Sequence, residues 1–306
     1  MLAAVHPVAQ VGWTSWTIHW STVVGLAALG AVYTLAARHV QRRARASGSE
    51  VPILRASQRV SFFSGLVVIF ASLNGPLHDL SDYYLFSAHM VQHLVLSLAV
   101  PPLLLAGTPG WLLRPLLDRP AIAAVARAIT RPIRCFIIFN VVIALWHLPP
   151  LYNTAMEYHP VHIVQHLTLL AASVLMWWPF LSPLPELPRL AYPGQMLYCF
   201  LMVIPMSIIA IYIAMADHVL YPAYSIAPRV WGITPLSDQQ IGGLIMWVPG
   251  GLLFYVVMTF VFFKWAGRDT DSTAGAQVDW RPARPARTQS APPQAVTVQQ
   301  DRSSSY

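Results

Sequence analysis

The chain has 306 residues, of which 56% are apolar and only 10% charged, and its net charge is +7. A soluble globular domain carries about 25% charged residues, so this composition excludes an ordinary soluble enzyme and points to an integral membrane protein. The positive charge is confined to one set of loops, which argues for membrane topology and against a nucleic-acid partner, and Cys135 and Cys199 form no CxxC pair that would predict a disulfide or thiolate zinc site.

Residues 1–17 contain no Lys or Arg, so no signal-peptide n-region is read there, only a short outer segment. A first span is predicted over residues 18–37, followed by Arg38, Arg42, Arg43, Arg45, Arg55 and Arg59. The second, over residues 60–73, is short and is expected to start earlier, among snorkelling arginines. Asn74-Gly75-Pro76 breaks it and opens a loop with His78, Asp79 and Asp82. In the third span, residues 83–106, Pro101-Pro102 is expected to kink or end the helix because two backbone donors are missing. The basic connection that follows predicts a short surface helix over residues 121–129.

The fourth span covers residues 133–148, and a loop with Glu157 and His159 leads to the fifth, residues 160–181. The sixth covers residues 195–216. Ser237-Asp238-Gln239-Gln240 reads as the N-cap of the seventh, residues 239–265, where Gly242-Gly243 and Gly250-Gly251 permit close helix approach. Residues 267–306 are rich in Pro, Ala, Ser, Thr and Gln and predict a disordered cytoplasmic tail. The fold class is therefore all-α: a polytopic membrane protein with seven transmembrane helices over residues 18–266. All of the 19 Lys and Arg residues except Arg229 follow spans one, three or five, or lie at the inner end of span seven (Lys264) or in the tail, which predicts the N-terminus outside and the C-terminus inside. In that topology only His39 of the 11 histidines lies on the inner side, and Asp79, Asp82, Glu157, Asp217 and Asp238 face a single Arg229 outside.

Two stretches inside the apolar runs match. His89-Met90-Val91-Gln92-His93-Leu94 recurs as His162-Ile163-Val164-Gln165-His166-Leu167. On a helix, residues three and four apart share one face, with about 5–6 Å between them. Two such helices facing each other would offer His89, His93, His162 and His166 to one small volume. His78, His147 and His218 lie on the same outer side and are further candidate ligands, with Gln92, Gln165 and Asp217 as residues that would orient them. The copies sit in a wider repeat, 13 residues from Pro76 to His89 against 12 from Pro150 to His162.

The pattern permits several chemistries. Met90 and Ile163 stand where a H-E-x-x-H protease needs its glutamate, and no G-x-S-x-G is present, so no catalytic residue is assigned. Imidazoles with optional thioethers from Met90, Met156, Met215 or Met246 suit copper. Axial ligation of haem is the alternative. Simple hydrogen bonding between helices is the plainer reading of the same histidines. A copper transporter is disfavoured because the inner halves offer only Cys135 and Cys199 as soft ligands.

The order of these motifs carries a resemblance. Ala88-His89-Met90-Val91-Gln92-His93, Pro101-Pro102-Leu103-Leu104, Trp146-His147-Leu148-Pro149-Pro150-Leu151-Tyr152-Asn153, His162 to His166 with Trp177-Trp178-Pro179, and Asp238-Gln239-Gln240 with Gly243-Leu244-Ile245-Met246-Trp247 resemble the CtaG-like family of cytochrome c oxidase assembly factors. The similarity covers about residues 20–265. It implies a multi-pass protein of the bacterial plasma membrane, needed to form active haem-copper oxidase and associated with copper. It implies assembly rather than catalysis, with oxidase subunits or copper chaperones as partners in the lipid bilayer. The family's second motif often has an acidic residue where Gln165 stands.

Overall fold

The computed structural model describes residues 16–275, and their regular structure is entirely helical. The expected outer segment, residues 1–17, falls mostly outside the described residues, as does the tail beyond residue 275.

The first hairpin pairs α1 (Trp20–Ala46) with α2 (Ala56–Leu73). Next come α3 (Pro76–Tyr83) and α4 (Phe86–Leu94), a π-helical turn at Val95–Ala99, and α5 (Val100–Gly107). The basic connection forms α6 (Gly110–Leu117) and α7 (Pro120–Ile129), which leads into α8 (Pro132–His147) and α9 (Pro149–Glu157). The chain ends in α10 (His159–Leu181), α11 (Tyr192–Ala214) and α12 (Pro235–Gly275). Six helices are long and apolar enough to cross a membrane, and α7 with α8, bent by 75°, makes a seventh if counted as one span. Their outward faces expose Val32, Leu35, Ile208 and Phe260, as lipid contact requires.

Two expected loops are helices. His78 and Asp82 lie on α3, and the segment leading to Glu157 is α9. Each opens on a proline in its first turn, where a missing N–H costs no hydrogen bond. Counted from those prolines the repeat is in register, with 13 residues from Pro76 to His89 and 13 from Pro149 to His162.

The helix also continues through Pro101-Pro102. Ser97 lies four residues before one proline and five before the other, so its carbonyl has no backbone donor in either an α or a π register. The indole Nε1 of Trp177 donates to it at 3.1 Å, tying α10 to the π turn. On the far side of α2, Tyr33 stacks on Phe62 at 3.9 Å and donates its hydroxyl to the Gly107 carbonyl, which anchors α1 to α2 and the end of α5.

The expected cap of α12 is displaced. Thr234 Oγ1 accepts the Ser237 N–H at 3.2 Å, so Thr234 fills the capping role. Asp238, only 1% exposed, instead accepts the N–H groups of Phe86 at 2.6 Å and Ser87 at 3.1 Å, together with the Ser87 hydroxyl. It therefore caps α4, the helix of the first His motif. The glycine pair beside it makes this approach possible. A Cβ at Gly242 would lie 2.4 Å from the Phe86 ring, and one at Gly243 would lie 2.7 Å from the Ala214 backbone nitrogen.

Candidate metal centre

Both motif faces turn inward, as their spacing demands. His89, Gln92 and His93 on α4, and His162 and Gln165 on α10, are all buried. The imidazole rings form one cluster. Ring centroids are 4.2 Å apart for His89 and His93, 4.5 Å for His162 and His166, 5.6 Å for His89 and His162, and 5.3 Å for His93 and His166. His147, at the end of α8, joins at 6.1 Å from His93.

Interhelical hydrogen bonding does not account for this cluster. Both ring nitrogens of His89, His93 and His166, and Nε2 of His147 and His162, are buried without a protein hydrogen-bond partner. Each such atom costs about 1–3 kcal/mol if left unsatisfied, and among the described residues no side chain or carbonyl supplies the partner. Two of the imidazoles have their protons placed. His147 Nδ1 lies 2.7 Å from the Ile143 carbonyl, which can only accept, so in the neutral ring Nε2 carries the free lone pair. His162 Nδ1 faces the Asp82 carboxylate at 3.5 Å, which again leaves Nε2 free. A histidine tied at one nitrogen to a carbonyl or carboxylate, with the other free, is the usual arrangement of a metal ligand.

Asp82 is the residue that sequence reasoning left in a loop. One of its oxygens is 3.5 Å from both His78 Nε2 and His162 Nδ1. One ligand atom each from Asp82, His89 and His162 fall within 4.8 Å of one another. Ligands held about 2.1 Å from a tetrahedral ion sit roughly 3.4 Å apart, so this group is somewhat wider than a closed tetrahedral site.

The remaining expected residues sort clearly. Gln92 is fully satisfied: its amide donates to the Ser72 carbonyl at 2.6 Å and to His78 Nδ1 at 3.2 Å, and its oxygen accepts from Ser81 at 3.3 Å. It orients His78, not the histidines of its own motif. Both amide atoms of Gln165 are buried without a partner, so no histidine is held by it. His218 and Asp217 pair with each other at 2.6 Å and are exposed, outside the buried cluster. That exposed bond lowers the Asp217 pKa, the hydrogen bond being the main cause. Met215 is exposed and the Met156 sulfur lies 3.8 Å from the Tyr224 hydroxyl, whereas Met90 and Met246 are buried.

Imidazoles also lead outward from the cluster. His78 packs edge-on against His19 at 4.4 Å, and His19 lies 6.4 Å from exposed His159. Burial lowers the pKa of His78, partly offset by Asp82, so the ring favours its neutral form, with Nδ1 accepting from Gln92 and Nε2–H facing Asp82. Over the cluster lies an aromatic roof. Tyr152 packs on His89 at 5.3 Å, and its hydroxyl meets that of Tyr224, which donates to the Ser81 carbonyl at 2.8 Å. Tyr221 donates to the His147 carbonyl at 2.9 Å.

The family model described as cytochrome c oxidase caa3 assembly factor (Caa3_CtaG) matches residues 31–268. The chain belongs to this family. It is also similar to an uncharacterized protein of Mycobacterium bovis, 26% identical over 201 residues, covering 60% of this chain and 30% of that protein. An uncharacterized protein of Mycobacterium leprae is 25% identical over 244 residues, covering 74% of this chain and 36% of that protein. The chain thus spans about a third of the length of the curated relatives it matches. No solved structure matches it.

The caa3 assembly factor match takes in α2 through α11 and most of α1 and α12, so it includes every buried histidine of the cluster. It also includes Asp82 and Asp238, the two acidic residues whose roles appear only in three dimensions. Both act on residues far away in sequence, Asp82 on His162 and Asp238 on Phe86 and Ser87. Asp82 was set apart beforehand only as one of the outer-side acidic residues, whereas Asp238 also stood in the cap expected for the seventh span and in a motif of the resemblance.

Proposed function

We propose that this multi-pass membrane protein serves cytochrome c oxidase assembly in the bacterial plasma membrane by binding copper in the buried cluster of His89, His93, His162 and His166, with His78, His147 and Asp82 supporting it. The observation that carries this reading is the set of buried ring nitrogens without partners, in a chain of the caa3 assembly factor family. Copper accepts imidazole and thioether ligands, and the cluster offers no thiolate. Exposed His159 and then His19 lead a cation inward toward the Asp82 carboxylate, which His78 holds in place. The role is one of binding and handing on a metal, without catalysis, and its partners are oxidase subunits or copper chaperones.

The distribution of charge supports an outward-facing site. His89 and His162 lie near the starts of α4 and α10, whereas the arginine-rich segments lie beyond the other ends of those spans or of their neighbours. By the positive-inside rule the cluster faces out and the C-terminus faces the cytoplasm. A cytoplasm-active reporter fused after Tyr306 should therefore be active.

Space favours copper over haem. The cavity beside the cluster is about 30 Å³, whereas cofactor-sized ligands occupy roughly 300–1,000 Å³. The test is metal analysis and an absorption spectrum of the purified protein, with haem-copper oxidase activity measured in cells lacking it and in cells given it back. Bound copper, no Soret band and restored oxidase activity are expected. A Soret band, or restored activity by a protein that takes up no copper, would overturn the reading.

A further inference from the structure

The cavity beside the cluster differs in chemistry from the Asp82–His89–His162 group. It is lined by Met90 and His93 from α4, His147 from α8, His166 from α10, Met206 from α11 and Met246 from α12, the rest of its wall being aliphatic or aromatic apart from Ser97. Five helices thus bring three imidazoles and three thioethers to a space of about 30 Å³, enough for a water-sized occupant, which needs roughly 10–15 Å³. No carboxylate lines it.

Each imidazole has lone pairs to offer. His93 and His166 have both ring nitrogens buried and unpartnered, and His147 is fixed by the Ile143 carbonyl so that Nε2 is free. His93 and His147 are 7% and 4% exposed. Met90, Met206 and Met246 are at most 3% exposed. An uncharged donor set in a low-dielectric wall discriminates by charge. The cost of burying an ion rises with the square of its charge, so a monovalent ion pays about a quarter of the desolvation of a divalent one. Thioethers add softness, which favours Cu(I) over Zn(II) or Cu(II).

We propose that the His93–His147–His166 cavity, with Met90, Met206 and Met246, is a distinct cation position selective for Cu(I), one helical turn deeper than the Asp82–His89–His162 group. This rests on the copper reading of the cluster and specifies the ion and the ligands. The outer group, with its carboxylate and imidazoles, accepts divalent ions as well. The deeper position holds copper in its reduced form, and no change of oxidation state is needed between them.

The test uses the full-length protein purified in detergent, loaded anaerobically with Cu(I) or, separately, with Zn(II). X-ray absorption of the Cu(I) form should show copper–sulfur scattering. The triple variant Met90→Leu, Met206→Leu, Met246→Leu keeps side-chain volume and so preserves packing. It should lose the sulfur scattering and bind Cu(I) at least about tenfold more weakly, with Zn(II) affinity unchanged. Met215→Leu, at an exposed position, is the control and should behave as wild type. Wild-type copper surrounded only by nitrogen and oxygen, or a triple variant with wild-type Cu(I) affinity, would overturn the deeper site while leaving the outer cluster standing. A wild-type protein that binds no Cu(I) at all would remove both.

Discussion

Asp238→Ala should loosen the first His helix without breaking the helix that carries Asp238. The carboxylate is 1% exposed and accepts the Phe86 and Ser87 N–H groups that open α4. Alanine leaves both donors without an acceptor, at about 1–3 kcal/mol each, so the expected loss is roughly 2–6 kcal/mol. Asp238→Asn keeps one oxygen and should cost about half as much. α12 itself keeps its start, because Thr234 supplies its cap. Because α4 carries His89 and His93, copper retention should fall with stability. Unfolding in mixed detergent, followed by circular dichroism, gives the stability, and metal analysis after dialysis gives the copper. If Asp238→Ala unfolds within about 0.5 kcal/mol of wild type, the range of an indifferent surface change, and keeps its copper, the capping role is wrong.

Two further outcomes follow from the geometry. His78 is buried and its pKa is lowered from 6.5 by desolvation, so the unfolded chain binds more protons than the folded one below that value. Stability should therefore fall as pH drops below about 6.5, at no more than about 1.4 kcal/mol per pH unit for this group. Comparing wild type with His78→Gln in pH-dependent unfolding checks it, and an identical pH dependence would remove His78 as the source. Gly243→Ala places a methyl group 2.7 Å from the Ala214 backbone nitrogen, which cannot swing aside. A loss of about 1–3 kcal/mol is expected for such overpacking, read as a lower thermal midpoint in detergent, and an unchanged midpoint would show that α11 and α12 separate freely.

What the sequence made legible is periodic. Seven apolar runs and the one-sided arginines define the spans, because hydrophobic length and charge bias act residue by residue. The four-residue spacing of His89 and His93, and of His162 and His166, commits each pair to one helix face whatever else the chain does. The meeting of those faces depends on how α4, α8 and α10 pack, and no local pattern encodes it. His147 shows the limit: its place on the outer side was readable, but its approach to His93 depends on the tilt of α8. Helix α3 was missed although a signal was present, since Pro76 and Asp79 are a favourable first turn. The survival of α5 through Pro101-Pro102 was not readable, because it depends on Trp177 reaching Ser97 from another helix.

The central claim is that the two His motifs bind copper together. Copper bound per protein is to be measured for wild type, His93→Ala, His166→Ala and the double variant, at matched protein abundance, after loading and dialysis under identical conditions. His39→Ala, on a different helix from both motifs, serves as control. His93 and His166 line the same deeper position, and ligands of one centre act as a unit, so each single variant should lose the copper held there to the same extent and the double variant should be little worse than either. Wild-type copper in both single variants would contradict the account and leave the cluster as a packing device.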